Sequence, residues 1–204
     1  MQLYDIELDD PDEIKTSIKI IIAQVIRGAN LVLNIRKLSQ LEETEISFKR
    51  IKICNILKNS IDYVKNTYQD KKININVDSI SKQLYVSANK LIRDVFENIL
   101  INAIKHNKNT IPELDVKISK EQKLGVNYLK MEFLDNGVGV KDTRKEKIFQ
   151  GGYDKNKNVH GKGLGLSLVK RIIENYSGEI RIEDKVKGDY TKGSNFIFLI
   201  PEVD

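Results

Sequence analysis

The sequence predicts an α+β fold preceded by one long helix, and three patterns carry that prediction. Residues 12–41 hold an apolar stripe at alternating steps of four and three. Short alternating runs at 73–77, 114–119, 128–134 and 180–200 read as strands, and helical spacing returns at 56–68, 88–106 and 164–175. A chain of 204 residues is long enough to bury a real core as one domain with a helical extension.

In the first helix the stripe runs Ile14, Ile18, Ile21, Val25, Gly28, Val32 and Ile35, widened by Ile22, Ile26, Ala29 and Leu33. Asp9 or Asp10 before Pro11 suits its start, with Asp12 and Glu13 in the first turn. A helix of about 30 residues is some 45 Å long and overhangs a small domain. It therefore reads as part of a dimeric helical bundle or hairpin. Residues 41–47 form a polar hinge.

Ile46, Phe48, Ile51 and Ile53 then suggest a short strand, and Ile56, Leu57, Ser60, Ile61 and Val64 a helix. Ile73, Ile75 and Val77 alternate as a half-buried strand, and residues 84–86 form another. Ser87 is the expected N-cap of the next helix, whose apolar face is Leu91, Val95, Ile99, Leu100 and Ala103. The same helix carries Glu97, Asn98, Asn102, Lys105 and His106. Asn98, Asn102 and Lys105 stand at steps of four and three, one above the other. Amides are disfavoured within helices, so two stacked beside a lysine leave two readings, a solvated face or a binding face.

The strand over 128–134 ends in Asp135-Asn136-Gly137-Val138-Gly139. That is either a plain turn or an acidic acceptor on a cavity floor, with glycines making room for a flat ligand. Residues 141–161 show little regular pattern beyond 146–149. Their loop contains Lys155 and Lys157 and reads as a basic lid over phosphates. Gly161-Lys162-Gly163-Leu164-Gly165-Leu166-Ser167 follows and opens the last helix. Glycines at alternate positions let backbone approach a ligand, and the helix start offers free N–H groups to anions. The spacing is neither a dinucleotide G-x-G-x-x-G turn nor a Gly-Lys-Ser/Thr loop. Gly178 is placed as that helix's C-cap, and Ile180, Ile182, Phe196, Phe198 and Ile200 as two closing strands.

Composition narrows the function classes. Thirty-four Lys and Arg are scattered among 29 acidic residues, for a net charge of +5, without a basic stripe interleaved with aromatics, so no nucleic acid is expected. The apolar cluster at 18–26 is broken by Lys19 and Gln24 and falls short of the roughly 20 residues of a span, so no membrane contact is expected in this segment. Acidic residues soon after Met1 do not form a secretory signal. A lone Cys54 favours a reducing compartment. The expected location is cytoplasmic, with membrane attachment possible only through a region absent from this chain.

Taken in order, Asn98-x-x-x-Asn102-Ala103-Ile104-Lys105-His106, Asp135-x-Gly137-x-Gly139, Ile148-Phe149 and Gly161-x-Gly163-x-Gly165-Leu166 resemble the N, G1, F and G2 boxes of sensor histidine kinases. The resemblance covers residues 46–204. It implies a two-layer α/β sandwich, a mixed sheet covered by three helices, of the ATPase type shared with gyrase-like and Hsp90-like proteins. Carried over by position, it implies ATP and Mg²⁺ as cofactors. Asn102 would be the metal ligand, Asn98 would lie near metal and phosphates, and Lys105 would place charge on the triphosphate. Those three would be the catalytic set. His106 would lie near sugar or phosphates, Asp135 would accept the adenine amino group, and Gly137 and Gly139 would give the base room. Gly161, Lys162, Gly163, Leu164, Gly165 and Leu166 would cradle the phosphates beneath Lys155 and Lys157.

Related hydrolysing ATPases carry a glutamate where this chain has Asn98, an amide that cannot take a proton. Transfer to a protein acceptor is therefore expected over rapid hydrolysis. Residues 1–44 resemble the second helix of the family's dimerisation and phosphoacceptor hairpin, and 45–204 its catalytic domain. Neither His106 nor His160 matches the phosphoacceptor, so that histidine is expected on a helix missing from this chain. The implied partners are ATP and ADP, a response regulator receiver domain, and a second copy joined through the N-terminal helix. The alternative is an ATP-binding scaffold, or a trans-acting serine kinase of the anti-sigma type, on the same fold.

Overall fold

The computed structural model describes residues 11–42, 47–79, 83–150 and 164–203. Five strands form a mixed sheet in the order β2-β4-β5-β7-β6: β2 (Asn74–Ser79), β4 (Glu113–Lys123), β5 (Val126–Asp135), β6 (Glu179–Val186) and β7 (Asp189–Pro201). Only β2 and β4 run parallel, because the chain makes a crossover through α3 (Ile92–Lys105) between them. The other neighbours are antiparallel. A two-stranded sheet of β1 (Lys49–Lys52) and β3 (Tyr85–Ala88) stands beside it.

Helices α2 (Ile53–Thr67), α3 and α5 (Leu164–Asn175) share one core with this sheet. Each was legible because its buried residues fall at helical spacing. They are Ile53, Leu57, Ile61 and Val64 on α2, and Ile92, Val95, Phe96, Ile99, Leu100, Ala103 and Ile104 on α3. On α5 they are Leu168, Val169, Ile172 and Ile173. Phe133 of β5 lies between Phe96 and Phe198, with ring centroids 6.1 and 5.2 Å away, and so ties helix layer to sheet. On the other face of β7, Ile197 and Leu199 are also buried. Lys130, Glu132, Glu179 and Arg181 flank them in register, long side chains whose stems cover apolar neighbours while their heads stay wet. The two-layer sandwich with three covering helices is thus observed.

Local details correct several expectations. Ile53 is not the end of a strand but the first residue of α2. Ser87 lies in β3 opposite Arg50 and caps nothing. The side chain that serves the start of α3 is Asn89, whose Oδ1 accepts the Leu91 N–H at 2.9 Å. Gly178 donates its N–H to the Ile173 carbonyl at 2.9 Å, but the left-handed residue ending α5 is Ser177, at φ 56°. Gly178 is required for another reason, since a Cβ there would stand 2.5 Å from the Leu199 carbonyl oxygen. Strands β4 and β5 extend past the expected runs and join through Leu124 and Gly125, both at positive φ. A short helix α4 (Asp142–Lys145) and a 3₁₀ turn over Lys147–Phe149 appear where little pattern was visible. Lys145 ties α4 to the sheet by pairing with Asp142 and with Asp184 of β6, at 2.6 and 2.5 Å.

Helix α1 spans Pro11–Glu42. Its C-terminal end rests on the domain, where Lys37 pairs with Asp94 of α3 and Leu38 and Leu41 pack against the core. Most of the stripe beyond has no cover, with Val25 65% and Val32 64% exposed. The reading of 18–26 as too short for a span is also revised. As one continuous helix, Pro11–Ser39 is long and apolar enough to cross a membrane by length and composition.

One polar pin holds α5 to the start of α3. The buried Tyr176 hydroxyl donates to Asn89 Oδ1 at 2.7 Å, and burial holds that phenol well above its ordinary range. Tyr176→Phe is expected to cost about 1 kcal/mol in urea denaturation and Asn89→Ala about 2, since the latter also frees the Leu91 N–H. Equal midpoints for all three proteins would remove the pin from the account of stability.

Candidate nucleotide site on helix α3

Two segments meet α3. At its C-terminal end the turn after β5 is fastened to the helix, with Val138 N–H donating to the His106 carbonyl at 3.1 Å. Two turns earlier, Asn98 faces the first turn of α5, where a Cβ on Gly165 would fall 2.6 Å from Asn98 Oδ1. Asn102 lies between, half-buried like Asn98. The eight steps from Asn98 to His106 rise about 12 Å, so one face of one helix joins the β5 turn to the α5 start. Asn98 Nδ2 donates to the Asp94 carbonyl at 2.8 Å, which fixes the amide and leaves its oxygen on the Gly165 side. The Asn102 side chain forms no hydrogen bond among the described residues.

Asp135 is the last residue of β5, and its side chain is buried at the sheet's end. Gly137 N–H donates to Oδ1 at 2.7 Å and Ser194 N–H donates to the same oxygen at 3.3 Å. Oδ2 accepts nothing among the described residues. Burial holds the carboxyl above the ordinary aspartate range, against the opposing pull of those N–H groups.

Glycines make this packing possible. A Cβ on Gly137 would stand 2.9 Å from both Asp135 Oδ1 and the His106 carbonyl. Gly139, at φ +63°, presses so closely on Tyr190 that a Cβ would sit 1.6 Å from its carbonyl oxygen. The β6–β7 hairpin thereby reaches over the turn.

Of the residues expected in the site, Asn98, Asn102, Asp135, Gly137, Gly139 and Gly165 are brought together along α3, and Leu166 is half-buried in the first turn of α5. Lys105 and His106 are exposed at the β5-turn end of the helix. Lys155, Lys157, Gly161, Lys162 and Gly163 lie outside the described residues, as does the Leu164 side chain. Glu97 points elsewhere and pairs with Arg93 at 2.5 Å. Phe149 is buried edge-on to Phe196 at 6.4 Å, anchoring the chain after α4. Sequence reasoning missed Ser194 and Gly193. The only signal for them was a Gly-Ser step inside a strand, where glycine often marks a close backbone approach. A Cβ on Gly193, at φ +113°, would fall 2.0 Å from the Asp135 carbonyl oxygen.

This geometry agrees with what the chain is similar to. Residues 87–204 match the family model described as histidine kinase-, DNA gyrase B-, and HSP90-like ATPase. The histidine-protein kinase/phosphatase MprB of Mycolicibacterium paratuberculosis is 27% identical over 183 residues, which are 89% of this chain and 34% of MprB. The sensor-like histidine kinase SenX3 of Mycolicibacterium smegmatis is 26% identical, over 95% of this chain and 50% of SenX3. This chain thus spans a third to a half of the length of these relatives. In fold it matches histidine kinase ThkA, solved with the response regulator protein TrrA, at TM-score 0.71 and 24% identity, covering 97% of this chain and 54% of ThkA. The chain belongs to the histidine kinase-, gyrase B- and HSP90-like ATPase family, as an ATP-binding catalytic domain of the sensor histidine kinase type.

Proposed function

We propose that this chain binds Mg-ATP along α3 and passes the γ-phosphoryl group to a histidine outside it. The observation that carries the reading is Asp135, whose Oδ1 takes both backbone N–H groups and leaves Oδ2 as acceptor for an exocyclic amine. A carboxylate there accepts from adenine and repels the carbonyl guanine would present. Gly137 and Gly139 give the base room by letting the turn fold back onto the His106 and Tyr190 carbonyls. The triphosphate then runs toward Asn98 and the start of α5, where Gly165 and Leu166 lie in the first turn; the phosphate roles expected of Lys155, Lys157, Gly161, Lys162, Gly163 and the Leu164 side chain fall outside the described residues. Lys105 and His106 start from the base end. On this reading Lys105 places charge toward the triphosphate and His106 lies near the sugar.

The donor set fits a metal that arrives with the nucleotide. The described residues hold no cluster of three or more His, Cys, Asp or Glu. A single neutral amide oxygen on Asn102 suits Mg²⁺, which keeps water and phosphate oxygens in its shell. When bound, Mg²⁺ offsets charge on the transferred phosphoryl group. Asn98 cannot take a proton and Glu97 is paired with Arg93, so these two residues supply no base for water and the described site orients and neutralises.

Residues 1–44 form the helical part of a dimerisation region, and 45–204 the catalytic domain. The exposed stripe of α1 takes a hairpin helix and a second copy of the chain, while the C-terminal end of α1 is bound to the domain through Lys37. A response regulator receiver domain is the proposed downstream partner and the cytoplasm the proposed location.

Three measurements test this. Asp135→Asn should weaken ATP binding by calorimetry by about 1 to 3 kcal/mol; unchanged affinity sinks the adenine assignment. A carboxyl raised in the folded state contributes stability that is present below its unfolded value and lost as pH rises through the folded one. As pH falls through that raised value, native stability should therefore gain while ATP affinity weakens. Asp135→Asn should lose both slopes. With γ-labelled ATP, label should enter only a version extended upstream by the preceding helix, acid-labile and base-stable. No label despite ATP binding would overturn the transfer.

A further inference from the structure

A set of amide hydrogen bonds ties the Asp135 turn to the end of α3, and the proposed nucleotide contacts use none of them. Asn136 is their centre. Its Oδ1 accepts from Asn107 Nδ2 at 2.5 Å and from the Glu113 N–H at 2.9 Å. Its Nδ2 donates to the Ile111 carbonyl and to the Glu113 carboxylate, each at 3.4 Å. Its N–H donates to the Glu113 carbonyl at 3.2 Å, and its carbonyl accepts from Asn109 Nδ2 at 2.5 Å. Asn107 Oδ1 takes the Asn109 N–H at 2.9 Å, closing a local turn that presents both amides to Asn136. One residue, through backbone and side chain, thus fastens the stretch after α3 to the turn after β5.

What this clasp joins matters more than its strength. Asn102 and Asp135 sit on different elements, Asn102 one turn before the end of α3 and Asp135 at the end of β5. Leu100, Ala103 and Ile104 press α3 onto the sheet, but apolar packing has no direction. Hydrogen bonds are directional and set a distance.

We propose that Asn136, seconded by Asn107 and Asn109, is a positioning residue that fixes the spacing between the base acceptor Asp135 and the metal-side amide Asn102, so that one nucleotide meets both at once. The inference rests on the nucleotide reading given above. Two half-sites on a rigid frame bind a ligand that spans them with the advantage of linkage. If the frame loosens, each half keeps its own affinity and the spanning ligand alone loses.

Fragments separate this from a merely structural role. In the full chain, Mg-ATP, adenosine and Mg-tripolyphosphate are titrated against wild type, Asn136→Ala and the milder Asn107→Ala at a half-buried position. Asn136→Ala should weaken Mg-ATP by about tenfold, and Asn107→Ala by less, while adenosine and tripolyphosphate stay within about twofold. Equal loss for adenosine and Mg-ATP would make Asn136 a local prop of the Asp135 pocket and overturn the proposal. So would unchanged Mg-ATP affinity in both variants. If Asn136→Ala does not fold, Asn107→Ala decides by the same comparison. Asp135→Asn, run alongside, should weaken adenosine. If it does not, the adenine assignment falls, while the gap between whole nucleotide and fragments still reads the clasp.

Discussion

The structure turns on one buried carboxylate. Asp135 ends β5 with its side chain inside the protein and its charge opposed by burial. An isolated buried charge is costly, and here two backbone N–H groups from different segments, Gly137 and Ser194, share the task of offsetting it. That requirement dictates the surroundings. The chain must turn back within two residues to present the Gly137 N–H, and the β6–β7 hairpin must come close enough to present Ser194. Both approaches are possible only without side chains, which is why Gly137 and Gly193 stand where they do. The glycines that look like room for a ligand are first of all room for the protein's own backbone.

The same turn is the junction between sheet and helix. Val138 and Asn136 are bound to the segment leaving α3, so the end of β5 and the end of α3 are fastened together. The apolar core beneath, from Phe96 through Phe133 to Phe198, sets which face of α3 meets the sheet. The polar bonds then set the register of the two ends, so core and site are two levels of one arrangement.

How much of this was legible in the sequence follows from the range of each signal. The apolar periodicity of α2, α3 and α5 and the alternation of the strands are local, and they placed the elements. The spacing of Asn98, Asn102 and Lys105 is also local and put them on one face. Ser194 could not be found that way. Its role depends on β7 lying beside β5, and its side chain carries nothing, since the donor is backbone. The Asn89 cap displaced Ser87 for a similar reason. Ser87 is claimed by pairing with β1, so the helix starts later and takes the next polar side chain available. Gly178 was found for the wrong cause, because a glycine after a helix looks the same whether it is left-handed or pressed against a neighbouring strand.

The chemistry follows from which protons are missing. Water and a serine hydroxyl both need a base to become nucleophiles at neutral pH. The position where such a base would act is the Asn98 amide, its nitrogen committed to the Asp94 carbonyl, and the adjacent Glu97 is held by Arg93. A neutral imidazole needs no such help, since one ring nitrogen already offers a lone pair. On the proposed reading, a site whose described residues put an amide and not a carboxylate at position 98 is matched to a histidine acceptor. It is poorly matched to water.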